Sequence, residues 1–162
     1  MRLRRNGFEE AEIGRSQAGS GSSPGAGLYR QKGLNMNGLA KICWITAPIY
    51  AVLGMIFGVV MAASGDHTLA PAHGHLNLLG WATIALYGTF YTLVPKAAES
   101  RVAKLQVLLA ELGVLVIVPG IAMAVMGQGE GLAKAGSLLI LAGMLLFAVT
   151  VMRSVGSGPV RA

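Results

Sequence analysis

The chain has 162 residues, 54% of them hydrophobic and 12% charged, with a mean hydropathy of +0.61; soluble domains carry about 25% charged residues, so the composition excludes an ordinary soluble enzyme and indicates an integral membrane protein. The single cysteine, Cys43, excludes a disulfide framework and a cysteine-based metal site. The net charge of +6 flanks apolar segments and forms no aromatic-interleaved basic patch, which argues against nucleic acid as a partner.

Taken in order, residues 1–35 are rich in Gly, Ser and Arg, show no helical periodicity and hold too few large apolar side chains to fold alone. They are expected to be a disordered tail or an over-extended start, since Met36 opens a sequence, MNGLAKICWI, normal for a small membrane protein. A cleaved signal peptide is not expected, because the first apolar run begins only after residue 40 and is of full spanning length. A four-helix membrane domain is predicted over 36–152, with helices at about 42–63, 73–94, 105–126 and 135–152, followed by a tail at 153–162. At about 1.5 Å per residue the first three cross a hydrocarbon core of about 30 Å, and the fourth is shorter. Pro71 and Pro95 punctuate the second helix, Pro48 is tolerated in the first, and Pro119 is a candidate kink in the third.

The distribution of Lys and Arg sets the expected orientation. Twelve of the 13 lie in the N-terminal segment, the second loop (Lys96, Arg101, Lys104) and the C-terminal tail; only Lys134 lies in the third loop, and the first loop has none. Cytoplasmic flanks hold the excess, so both termini are expected in the cytoplasm and the loop SGDHTLAPAHGH on the outer or periplasmic side.

All three histidines fall in that loop and the next helical turn: His67, His73 and His75. Neutral imidazole binds haem iron, copper or zinc and titrates near neutral pH, so each is a candidate metal ligand. On one α-helix His73 and His75 point about 200° apart and cannot chelate one ion unless the helix starts after His73. A helical wheel puts His75 with Leu79, Ala82, Leu86 and Phe90, an apolar wall suited to a flat macrocycle. It puts His73 with Asn77, Gly80, Tyr87 and Tyr91, a polar seam. Glu111 lies about two turns inside the third helix, where an unpaired carboxylate is costly; it is expected to be protonated, to pair with Lys104 or a Thr or Tyr, or to belong to a proton path. The pairs Gly54/Gly58 and Gly80/Gly88 allow close helix packing.

The stretch HGHLNLLGWATIALYGTFYTLVPKAAE resembles the second transmembrane helix of haem-copper oxidase catalytic subunits, in particular the nitric-oxide-reductase and cbb3-like branch. There a histidine precedes an N-L-L run, followed by W, a later G and a Y-x-L-V-P exit. The third segment, KLQVLLAELGVLVIVPGIAMAVMG, is similar to the following helix, and 36–152 resembles small four-helix bacterial proteins described as cytochrome c oxidase subunit I-like. The resemblance implies that His75 stands where the axial ligand of a low-spin haem stands, with His73 the second candidate.

This chain departs from the large subunits in having no histidine after His75, so it does not build a complete oxidase centre by itself. A second axial ligand would be His67, His73, a thioether of Met55, Met61 or Met126, or a group on another protomer. The absence of C-x-x-C-H excludes covalent c-type haem. Two functions are therefore expected. One is a b-type haem or copper-binding subunit for respiratory electron transfer in a bacterial plasma membrane. The other is a non-redox accessory protein that packs against oxidase subunits or as a homo-oligomer.

Overall fold

The computed structural model describes residues 36–156, and among them all regular structure is helical, with no strand. In chain order the elements are α1 (Gly38–Ser64), α2 (Ala70–His75), a π-helical stretch (Leu76–Thr83), α3 (Ile84–Leu93), α4 (Pro95–Ala98), α5 (Arg101–Val125) and α6 (Gly131–Gly156). The expectation of disorder for 1–35 lies outside the described residues, as does the end of the C-terminal tail. Three helices, α1, α5 and α6, are long and apolar enough to cross a membrane.

Helix ends extend past the apolar runs because polar caps extend them. Asn37 accepts from the Ala40 N–H at 2.9 Å, so α1 starts before its first large apolar residue. It stops at Gly65, whose φ of +70° is the left-handed conformation of a helix C-terminus. Pro48 lies inside α1 and Pro119 inside α5 without ending either. Ser100 caps α5 by accepting from the Ala103 N–H at 3.1 Å. The fourth apolar run, expected as the shortest helix, is a 26-residue helix. The Glu130–Lys134 ion pair, 2.9 Å, ties down its first turn ahead of the apolar part. Val94 leaves helical geometry, as a residue before proline tends to, and Pro95 opens α4 rather than simply closing the preceding helix.

Helical backbone is continuous from Ala70 to Leu93, but the middle of this rod is π-helical. Its buried residues Ala72, Leu76, Gly80 and Ile84 recur every four positions. On an α-helix a stride of four drifts by about 40° per step, so the fourth residue would leave the interface. The wider i→i+5 turn drifts in the opposite sense and offsets the α-helical drift, so all four face inward.

Two helix pairs make the bundle. The 70–93 rod lies along α1, where small residues meet large ones: Gly54 faces Asn77, Gly58 faces His73, Gly80 faces the Tyr50 ring, and Gly88 faces Cys43 and Trp44. α5 and α6 approach more closely still. A Cβ on Gly120 would stand 2.5 Å from the Ala133 nitrogen, and one on Gly136 would stand 2.6 Å from the Ile117 Cα. Phe147 of α6 joins the pairs, its ring centroid 4.5 Å from Tyr87, 5.2 Å from Phe90 and 6.3 Å from Tyr91. The outer faces of α1 (Ile45, Ile49, Val59) and α6 (Leu138, Leu145, Met152) are exposed and apolar, the pattern of a surface that meets lipid.

Candidate functional site

The three histidines have three different surroundings. His67 sits in the α1–α2 loop, exposed, with Nδ1 3.2 Å from the Gly65 carbonyl. Its neighbour Asp66 accepts from the Thr68 N–H at 2.9 Å. The Thr68 side chain and backbone N–H, helped by the His67 charge, hold the Asp66 carboxyl below the usual carboxylate range.

His73 is half-buried and turned toward α1. Its ring meets Phe57 edge-on at 5.9 Å, and it fills the space left by Gly58. Asn77 donates to the His73 carbonyl at 3.0 Å, and its amide nitrogen is 3.4 Å from both ring nitrogens, so neither receives a linear bond from it.

His75 is exposed on the outside of the rod. Its Nδ1 is 2.8 Å from the Pro71 carbonyl, an acceptor with no hydrogen, so Nδ1 carries the proton and Nε2 holds a free lone pair in the neutral ring. Of the apolar wall expected beside it, Leu86 is exposed, whereas Leu79 and Phe90 pack against the buried core, Phe90 against the Tyr91 and Phe147 rings.

The structure thus separates His73 from His75, in line with their spacing, and does not gather the histidines into a chelate. Among the described residues no group of three or more His, Cys, Asp or Glu could hold a metal ion. Of the candidate thioethers, Met61 is buried, whereas Met55 and Met126 are exposed. The predicted seam His73–Asn77–Gly80–Tyr87–Tyr91 points inward but divides. Its first half meets α1, while Tyr87 and Tyr91 pack on Phe147 of α6, and Tyr91 also bonds to α5. Trp81 is half-exposed at the bundle surface.

A second polar centre lies between α1 and α5. Thr46 Oγ1 donates to Glu111 Oε1 at 2.7 Å, and Tyr50 Oη donates to Glu111 Oε2 at 2.8 Å. The Thr/Tyr alternative for Glu111 is the one the fold adopts, not Lys104. Toward the N-terminal end of α5, Gln106 is fully buried and accepts from Tyr91 Oη at 2.9 Å, while its Nε2 has no hydrogen-bond partner. Asn37 donates to the Tyr91 carbonyl at 2.7 Å, tying the start of α1 to the end of α3. Sequence reasoning missed Thr46, Tyr50 and Gln106 as site residues. The available signal was the four-residue spacing of Thr46 and Tyr50, which puts two hydroxyls on one face of α1.

No family model, curated protein or solved structure matches the chain. What the fold and the histidine end define is a class, an all-helical membrane-embedded protein, and the resemblance to the oxidase helix rests on the residues quoted for it.

Proposed function

We propose that the chain is a four-span protein of the bacterial plasma membrane, with both termini cytoplasmic, that holds a b-type haem through His75 and serves respiratory electron transfer. The fourth span is the 70–93 rod: it is 24 residues of continuous helix without Asp, Glu, Lys or Arg, about 36 Å at α-helical rise. The orientation rests on the Lys and Arg distribution, which leaves the histidine loop on the outer side.

The observation that carries the haem reading is the bond from His75 Nδ1 to the Pro71 carbonyl. Ligating histidines characteristically donate their other ring N–H to a carbonyl or carboxylate, which fixes the tautomer and the ring plane and makes the free nitrogen more basic. His75 has that arrangement, and its side chain is exposed. His75 would hold the haem through Nε2, and any second protein ligand would come from another subunit, because the His73 ring packs against Phe57 and Gly58 of α1. Bound haem would supply a one-electron carrier; the chain supplies the ligand, its tautomer and an apolar surface.

The visible spectrum of the full chain extracted from membranes tests the reading. A Soret band that is lost in His75→Ala and kept in His73→Ala is expected; a folded, colourless protein would refute it. A second reading, an accessory protein that packs against oxidase subunits or copies of itself, is favoured by the open apolar faces of α1 and α6. It predicts a colourless protein that co-purifies in a defined assembly.

A further inference from the structure

We infer that Glu111, Thr46 and Tyr50 form a proton-binding site inside the bundle, in which the carboxyl group takes up and releases a proton without movement of the helices. The site lies away from the histidine end and stands independently of the haem reading.

Hydrogen-bond valence supports this. As a carboxylate, Glu111 accepts one hydroxyl proton on each oxygen, from Thr46 at 2.7 Å and from Tyr50 at 2.8 Å. A purely structural acceptor would stop there, and protonating it would oppose one O–H to another. Here Thr46 has a second acceptor in place: the Ile42 carbonyl is 3.1 Å from Oγ1. When Glu111 binds a proton on Oε1, it donates to Thr46 Oγ1, and the Thr46 hydroxyl rotates to give its own proton to Ile42. Oε2 goes on accepting from Tyr50. Both protonation states therefore keep a full set of hydrogen bonds with every heavy atom in place, and a hydroxyl rotation is the only rearrangement.

The surroundings suit exchange rather than permanent charge. Glu111 is half-buried and lies within a spanning helix, where an isolated carboxylate is expensive. The titratable groups set against it are Tyr50 and Cys43 of α1. The 70–93 rod brings the uncharged Gly80 against Tyr50, with Tyr91 bonded to Gln106 and Tyr87 set against Met144. Lys104 of α5 lies two turns back along the helix, and α6 carries its charges, Lys134 and Arg153, near its two ends.

Infrared difference spectra of the full chain in lipid nanodiscs, recorded through a pH series, test the site. A carbonyl stretch of a protonated carboxyl that grows on acidification, is reversible, and is lost in Glu111→Gln is expected. Thr46→Val removes the acceptor of the acid proton and moves that stretch to higher frequency without abolishing it, an effect that a merely structural contact would not give. If Glu111→Gln does not fold, the Thr46→Val shift alone decides. A spectrum in which no carboxyl band responds to Glu111→Gln, or in which Thr46→Val leaves the band unmoved, overturns the inference.

Discussion

Substituting Gly120 by alanine tests the α5–α6 contact, the tightest in the bundle. The new Cβ would stand 2.5 Å from the Ala133 nitrogen and 2.6 Å from the Leu132 carbonyl carbon, both backbone atoms that no side-chain rotation moves aside. Restoring ordinary contact requires α6 to retreat by roughly 1 Å, an overpacking strain of about 1–3 kcal/mol. Against this, alanine is worth about 1 kcal/mol more than glycine in a helix interior. Gly143, on the same interface, separates the two effects, because its Cβ would meet the Ala110 nitrogen at 3.4 Å, an ordinary contact. Gly143→Ala should be neutral or up to about 1 kcal/mol more stable, and Gly120→Ala should lie about 1–3 kcal/mol below it. Reversible unfolding in mixed micelles, followed by circular dichroism against denaturing detergent, measures the difference. Equal stability of the two variants would refute the close approach of these helices.

Three further outcomes follow from the polar contacts. Tyr91→Phe leaves Gln106 fully buried with neither end of its amide bonded and should cost about 1–3 kcal/mol, whereas Gln106→Met, which removes the orphaned nitrogen too, should be far milder; the same unfolding assay distinguishes them. In the α1–α2 loop, Asp66 has its carboxyl held low chiefly by Thr68. Its small contribution to stability is therefore fully present above the usual carboxylate range and is lost as pH falls through the lower folded value. An NMR titration should show the Asp66 midpoint rising toward the ordinary value in Thr68→Val, and an unchanged midpoint would contradict the contact. Glu130 is held low by its bond to Lys134, so Lys134→Gln should raise its midpoint in the same experiment.

The membrane class and the general positions of the helices are legible in the sequence because both follow from composition and from runs of apolar residues, which need no knowledge of partners. Helix ends are less legible. α1 begins at Gly38 because the Asn37 side chain caps it, and the hydropathy of the segment carries no trace of that bond. The separation of His73 and His75 follows from their spacing alone. Which of them faces the bundle depends on α1 offering Gly58 and Phe57, a tertiary fact. The cost of Glu111 in a spanning helix is equally plain from sequence, yet its partners belong to a helix 61 to 65 residues earlier in the chain. Spacing within α5 holds no information about them.

The π-helical stretch shows where wheel reasoning fails and offers its own test. An α-helical wheel aligns His73 with Tyr87 and Tyr91 as one seam, but the buried residues Ala72, Leu76, Gly80 and Ile84 follow a stride of four that an α-helix cannot hold. π turns are frequently found at functional sites, and here the stretch begins one residue after His75. If Leu76–Thr83 contains one residue more than an α-helix needs, deleting Ala82 should convert it to α-helix. Gly80 and Ile84 would then be three positions apart, which brings Ile84 to within about 20° of the face that Ala72 occupies. The deletion variant should fold with stability at or above that of the parent and keep the α1 contacts of His73. Far-ultraviolet circular dichroism and the micelle unfolding midpoint measure this. Loss of the fold on removing this single half-buried alanine would mean that the widened turn is required by the packing itself and is not an accommodated extra residue.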